Sequence, residues 1–189
     1  MLPSMSPPRG GGRRLSADDW IQAGFALLAD GGPNALRIDR LCERLGVTKG
    51  SFYWHFSDLH AYRTALLHAW GSLHDQDRQR FESSSGVEPR QRLRNMMQAV
   101  VGPQQWALER AMRVWALTDE DVAANVRKSD GRVLRAVYQA FVEAGFDPEE
   151  ASVRSAAFFG AGMGVLHSED PGGAPAELQE RFLDFVLRP

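Results

Sequence analysis

Leu36-Arg37-Ile38-Asp39-Arg40-Leu41-Cys42-Glu43-Arg44-Leu45-Gly46-Val47-Thr48-Lys49-Gly50-Ser51-Phe52-Tyr53-Trp54-His55-Phe56 is the stretch that decides the fold. Ile38, Leu41, Cys42 and Leu45 recur at helical spacing and line one face of a short helix. Gly46 stops it, because glycine takes the left-handed conformation of a tight C-terminal turn without a Cβ clash. Val47 plugs the turn, and Thr48 is suited to cap a second helix whose inward residues are Phe52 and Phe56. Two short helices joined by a glycine turn make a helix-turn-helix, whose second helix fits the DNA major groove. Its outward face is Thr48, Lys49, Gly50, Ser51, Tyr53, Trp54 and His55. Hydroxyls, a cation, flat aromatics and a bare backbone spot can all approach phosphates and base edges, and no carboxylate is expected to repel the DNA backbone there.

Outward from this hairpin the chain reads as further helices. Ser16-x-x-Asp19 caps a first helix, expected to run to about Asp30 with Ile21, Phe25 and Leu28 inward, and Gly31-Gly32-Pro33-Asn34 breaks it. After the hairpin, Ser57 or Asp58 starts a long helix to about Glu82. Pro89 opens a helix ending at Gly102, and Pro103 opens the next, to about Leu117. Thr118-x-x-Asp121 caps a long helix ending near Gly145, with Gly131 a candidate break. Asp147-Pro148-Glu149-Glu150 starts a helix to about His167, and Pro175 opens the last one, to Val186. No β-branched alternation appears, so the fold class expected is all-α.

The run Leu41-Cys42-x-x-Leu45-Gly46-Val47-Thr48-Lys49-Gly50-Ser51-Phe52-Tyr53-Trp54-His55-Phe56 resembles the TetR family of bacterial transcription regulators, and the resemblance extends from Ser16 to Tyr62. It implies a DNA-binding helix-turn-helix domain at 16–62 and an effector-binding and dimerisation domain at 63–189; the composition of 1–15 makes that segment a disordered basic arm ahead of them. It also implies operator contacts at Lys49, Gly50, Tyr53, Trp54 and His55. Two positions depart from the family pattern. Arg37 stands where a Thr or Ser usually caps the first hairpin helix and touches phosphate, though an Arg still reaches a phosphate. Leu59 stands where a Lys often opens the next helix.

With 43% hydrophobic and 24% charged residues in 189, the chain has the composition of an ordinary globular protein, and no apolar run reaches membrane-span length. The first residues, Met1 to Pro8, lack the apolar core of a signal peptide, so a cytoplasmic location is expected. The single Cys42 excludes an internal disulfide and suits helix packing. Net charge is −2, unevenly spread: through Phe56 seven cations face five anions, leaving +2 there and −4 beyond. A mildly basic end on an acidic body suits a protein that touches DNA at one end. Arg9, Arg13 and Arg14 lie in a Pro/Gly/Ser-rich segment that is either a plain tail or an arm along the DNA.

In the body, Ser155, Ala156, Ala157, Gly160, Ala161 and Gly164 give one helix a small face that allows close approach of another helix. With Leu178, Phe182 and Phe185 of the last helix it is a candidate two-fold, four-helix interface, the alternative being internal packing. Met97, Trp106, Met112, Trp115, Tyr138, Phe159 and Met163 are candidates for an adaptable apolar pocket, and suit a plain core as well. No His pair has metal-binding helical spacing, and Asp119-Glu120-Asp121 lacks a nucleophile or His beside it, so neither a cofactor nor a metal is expected. The expected function is a dimeric transcription regulator, most simply a repressor, released from a palindromic operator by a small effector. The rivals are a helical enzyme using the hairpin as scaffold and an architectural DNA-binding protein that senses nothing.

Overall fold

The computed structural model describes residues 15–82, 86–100, 103–167 and 175–189. The basic segment at 1–14, the polar loop at 168–174 and the expected helix end at Gly102 lie outside the described residues. Within them every regular element is helical.

Helix α1 (Ala17–Gly31) starts in a reciprocal capping box. The Ser16 hydroxyl accepts the Asp19 backbone N–H, and the Asp19 carboxylate accepts the Ser16 N–H at 2.7 Å. A 3-10 turn (Pro33–Ala35) leads into α2 (Ile38–Leu45). Gly46 takes φ 67° and ψ 33°, and the following Val47 N–H bonds back to the Cys42 carbonyl at 3.0 Å. The chain thereby turns into α3 (Lys49–His55), and Leu41, Cys42 and Phe52 close over the buried Trp20 of α1. Arg37 precedes α2 without a capping hydrogen bond from its side chain, as its chemistry requires. Thr48 differs from expectation. It occupies the cap position with extended backbone, yet its hydroxyl caps nothing.

Helix α4 (Leu59–Glu82) begins after Asp58, whose carboxylate accepts the Ala61 N–H at 2.8 Å and is held below the ordinary range chiefly by that bond. The helix lies tight on α1. A Cβ on Gly24 would fall 2.0 Å from the Tyr62 hydroxyl oxygen, so only a glycine admits the tyrosine there. The hydroxyl donates to the Trp20 carbonyl at 2.8 Å, and burial pushes the phenol's pKa well up.

The body follows as α5 (Pro89–Val100), α6 (Pro103–Ala116), α7 (Glu120–Glu143), α8 (Pro148–Leu166) and α9 (Ala176–Val186). Asp119, one residue beyond the expected Thr118, caps α7 by accepting the Val122 N–H at 3.2 Å. Gly131 does not break α7, since the helix packs along its length on α4, α5, α6 and α8. Asp147 caps α8 as expected, accepting both the Glu149 and Glu150 N–H at 2.9 Å.

Two apolar cores result. The first joins α1 to α4 with Leu108, Met112 and Trp115 of α6 and Val122 and Val126 of α7. It therefore runs across the expected boundary after Tyr62, which falls inside α4. A polar chain threads its edge: the Trp70 indole donates to the buried Glu109 at 2.9 Å, and Arg113, one turn on, is bonded twice to Asp130 at 2.8 and 3.0 Å. The second core joins Leu93, Val137, Phe141, Ala151, Phe158 and Leu183 of α5, α7, α8 and α9. Arg92 pairs with Glu143, and Arg90 and Arg94 both hold Glu180, fastening α5 to α7 and α9.

Candidate nucleic-acid interface

The face of α3 away from Trp20 is the most exposed aromatic surface of the head. Phe52 is fully buried and meets Trp20 edge-on, at 5.4 Å between ring centroids. With Phe52 pointing in, the helical period turns Lys49, Gly50, Tyr53 and Trp54 out. Tyr53 is 55% and Trp54 71% exposed. Arg37 and Thr48 are exposed as well, whereas Ser51 and His55 are half-buried. His55 leans on Trp20 at 6.2 Å between ring centroids, which ties its half-buried ring to the head core. Gly50, Ser51, Trp54 and His55 form a shallow open hollow together with Leu15. Seven of the eight candidate DNA-contacting residues thus lie on α3 or at its cap position, and Arg37 lies at the cap position of α2.

That surface also holds a carboxylate that pattern reading missed. Asp39, in the first turn of α2, sits 2.5 Å from the Lys49 ammonium. The Lys49 hydrogen bond and charge hold the Asp39 carboxyl below its ordinary range, and Asp39 in turn pushes Lys49 up. Both side chains are more than half exposed, so water screens the pair. The expectation of a face without a carboxylate holds for α3 alone and fails for the assembled surface. An acid opening α2 and a base opening α3 were visible in the sequence, but their meeting depends on the crossing of the two helices. Nearby, Arg44 pairs with Asp30 of α1 at 3.0 Å. Cys42 is buried between the helices, and burial raises its thiol pKa, away from reactivity.

The pocket candidates are divided. Met112 and Trp115 are buried in the first core, and the Trp115 indole donates to Asp119 at 3.2 Å. Met97 and Tyr138 pack against the second core instead. Trp106 donates its indole N–H to the Val165 carbonyl at 3.1 Å, tying α6 to α8, and Phe159 and Met163 are half-buried on α8. The interface candidates Ala157, Gly160, Ala161 and Gly164 are exposed, and a Cβ on Gly160 or Gly164 meets no described atom within 4 Å. Leu178 and Phe185 are 55% and 67% exposed. Phe182 faces the other way and stacks on Phe158 at 5.9 Å. Among the described residues no three His, Cys, Asp or Glu side chains come together as a metal site.

A helix-turn-helix head on a body of packed helices is the build of a DNA-binding transcriptional regulator. Residues 21–58 match the family model of bacterial regulatory proteins, tetR family, so the similarity in sequence covers the helix-turn-helix head. The fold is shared with a protein from Mesorhizobium loti assigned to the TetR-family transcriptional regulators (TM-score 0.73, 16% identity, covering 90% of this chain and 92% of that one). It is also shared with a protein from Saccharomonospora viridis, assigned as a transcriptional regulator and solved in complex with choline (TM-score 0.71, 16% identity, 91% and 95% covered). A third is the transcriptional regulator FadR from Bacillus subtilis in complex with stearoyl-CoA (TM-score 0.60, 13% identity, 92% and 98% covered). At these identities the likeness is one of fold. No curated protein matches the chain in sequence.

Proposed function

We propose that this protein is a homodimeric, ligand-responsive repressor of transcription, with residues 16–62 as its DNA-binding head and residues 63–189 as its effector-binding and dimerisation body. The observation that carries the reading is the exposed α3 face, where Lys49, Gly50, Tyr53 and Trp54 stand out from a helix anchored by the buried Phe52. Arg37 and the unengaged Thr48 hydroxyl supply phosphate contacts beside it, with the half-buried Ser51 and His55 at the rim. The exposed small face of α8, with the exposed Leu178 and Phe185 of α9, supports pairing with a second copy, and a palindromic operator would call for two recognition helices about one DNA turn, roughly 34 Å, apart.

The effector would be held near Met97, Trp106, Tyr138, Phe159 and Met163, with Met112 and Trp115 forming the wall toward the head. The ligands of the choline and stearoyl-CoA complexes differ widely in chemistry, so effector identity is not carried over from them. An effector favouring a head spacing unlike that of the operator opposes DNA binding by the same factor that DNA opposes the effector. No helix of the described residues is long and apolar enough to cross a membrane; a cytoplasmic site of action follows from the proposed DNA-binding role.

In vitro selection of random duplex DNA by the purified protein tests the reading. Enrichment of a two-fold symmetric site is expected and supplies a probe for screening effectors by release. Recovery of only salt-sensitive, sequence-independent binding would reject the regulator in favour of a scaffold or architectural role.

A further inference from the structure

A recognition surface is selective when it binds the right DNA and also penalises the wrong DNA. The cations of a DNA-binding head bring the opposite hazard, because every phosphate contact strengthens binding to all sequences alike. Lys49 is the cation that opens the recognition helix, and it is not a free charge. Its ammonium lies 2.5 Å from the carboxylate of Asp39, which α2 presents on the same exposed surface. Asp39 makes this contact from the first turn of α2, a helix held against α3 by the buried Cys42 and the Gly46 turn, so its backbone stays in place beside Lys49.

We propose that Asp39 is a specificity-determining residue that suppresses binding to non-operator DNA by neutralising Lys49 at the protein–DNA interface. On an arbitrary duplex Lys49 has two options. It stays with Asp39 and contributes no net charge, or it turns to a phosphate and leaves a carboxylate beside the DNA backbone. Either option removes close to one counterion's worth of non-specific attraction. On the operator, base-edge contacts from the exposed Tyr53 and Trp54 face fix the register, and Lys49 can be shared between Asp39 and a phosphate or base without loss of those contacts. The carboxylate therefore costs non-specific binding more than operator binding. This inference rests on the DNA-binding reading above.

Asp39→Asn keeps the size and much of the hydrogen bonding while removing the charge. The test measures affinity of full-length wild type and Asp39→Asn for the selected operator duplex and for a scrambled duplex of equal length, across a salt series. Scrambled-duplex binding is expected to tighten severalfold near 0.1 M salt, approaching about eightfold for one restored phosphate contact, with the salt slope steeper by about 0.9. Operator binding is expected to tighten less, so the ratio of the two affinities falls. Asp39→Glu, which restores the charge, should return the ratio toward wild type, and Lys49→Met placed on Asp39→Asn should abolish the gain. An unchanged or increased ratio in Asp39→Asn overturns the proposal, as does an unchanged scrambled-duplex affinity. Thermal melting of each variant confirms folding. A wild type that shows no preference between the two duplexes is a failure of the DNA-binding reading itself, and is seen before any variant is compared.

Discussion

A missing methyl group at Gly24 sets how closely α1 and α4 approach. Its Cβ would lie 2.0 Å from the Tyr62 hydroxyl oxygen and 2.9 Å from Leu66 Cδ1, both fully buried, so neither neighbour has room to retreat. Gly24→Ala is expected to destabilise the protein by about 1–3 kcal/mol, the usual cost of overpacking, even though alanine favours the helix. A urea midpoint that falls with an unchanged slope would confirm it; an unchanged midpoint would show that Tyr62 swings aside freely. Tyr53 is the opposite kind of residue. It rests edge-on against Phe52 at 5.5 Å but is mostly in solvent, so Tyr53→Ala should leave melting nearly unchanged. Operator affinity should drop about tenfold, or ~1.4 kcal/mol, and retention of wild-type affinity would remove Tyr53 from the contact surface.

The contact between α5 and α9 depends on Glu180, which accepts from Arg94 at 2.6 and 2.8 Å and from Arg90 at 3.0 Å. These hydrogen bonds, Arg94 first, bring its pKa down from 4.5 to about 2. A depressed acid stabilises the fold at pH values above its unfolded pKa, and that contribution disappears as pH falls toward the folded value. Melting temperature should therefore decline between pH 4.5 and 2 more in wild type than in Glu180→Gln; parallel curves would mean that solvent screens the bridge completely. Such long-range pairs were not legible in the sequence, whereas helix starts were. Ser16 with Asp19 and Asp147 with Glu149 act within one turn, so local spacing is enough to find them. Thr118 failed as a cap because its neighbour Asp119 offers an acceptor to both the Val122 N–H and the Trp115 indole. Which face of α3 points outward was equally legible, because Phe52 and Phe56 fix the side that points in. Asp39 was missed because its partner lies across a helix crossing. The sequence left Met112 and Trp115 between core and pocket, since burial and pocket lining select the same side chains.

For the whole molecule, the sharpest remaining question is what covers α8. Spacing marked its small face as a close-approach surface without saying what approaches. Within this chain the Gly160 position is open, so Gly160→Leu should leave the monomer's fold intact while blocking a partner helix. Sedimentation is expected to show a monomer that melts cooperatively; an intact dimer would move the interface elsewhere. The tight seat of Tyr62 against Gly24 has a mechanical consequence. With α1 seated on its first turns, α4 acts as a rigid handle for the head, and its 24 residues span roughly 36 Å. Over that length a tilt of only about 5° sweeps a tip through roughly 3 Å. That is close to the rise of one base pair, so in the proposed regulator a tilt of α4 this small would carry the head out of step with its site.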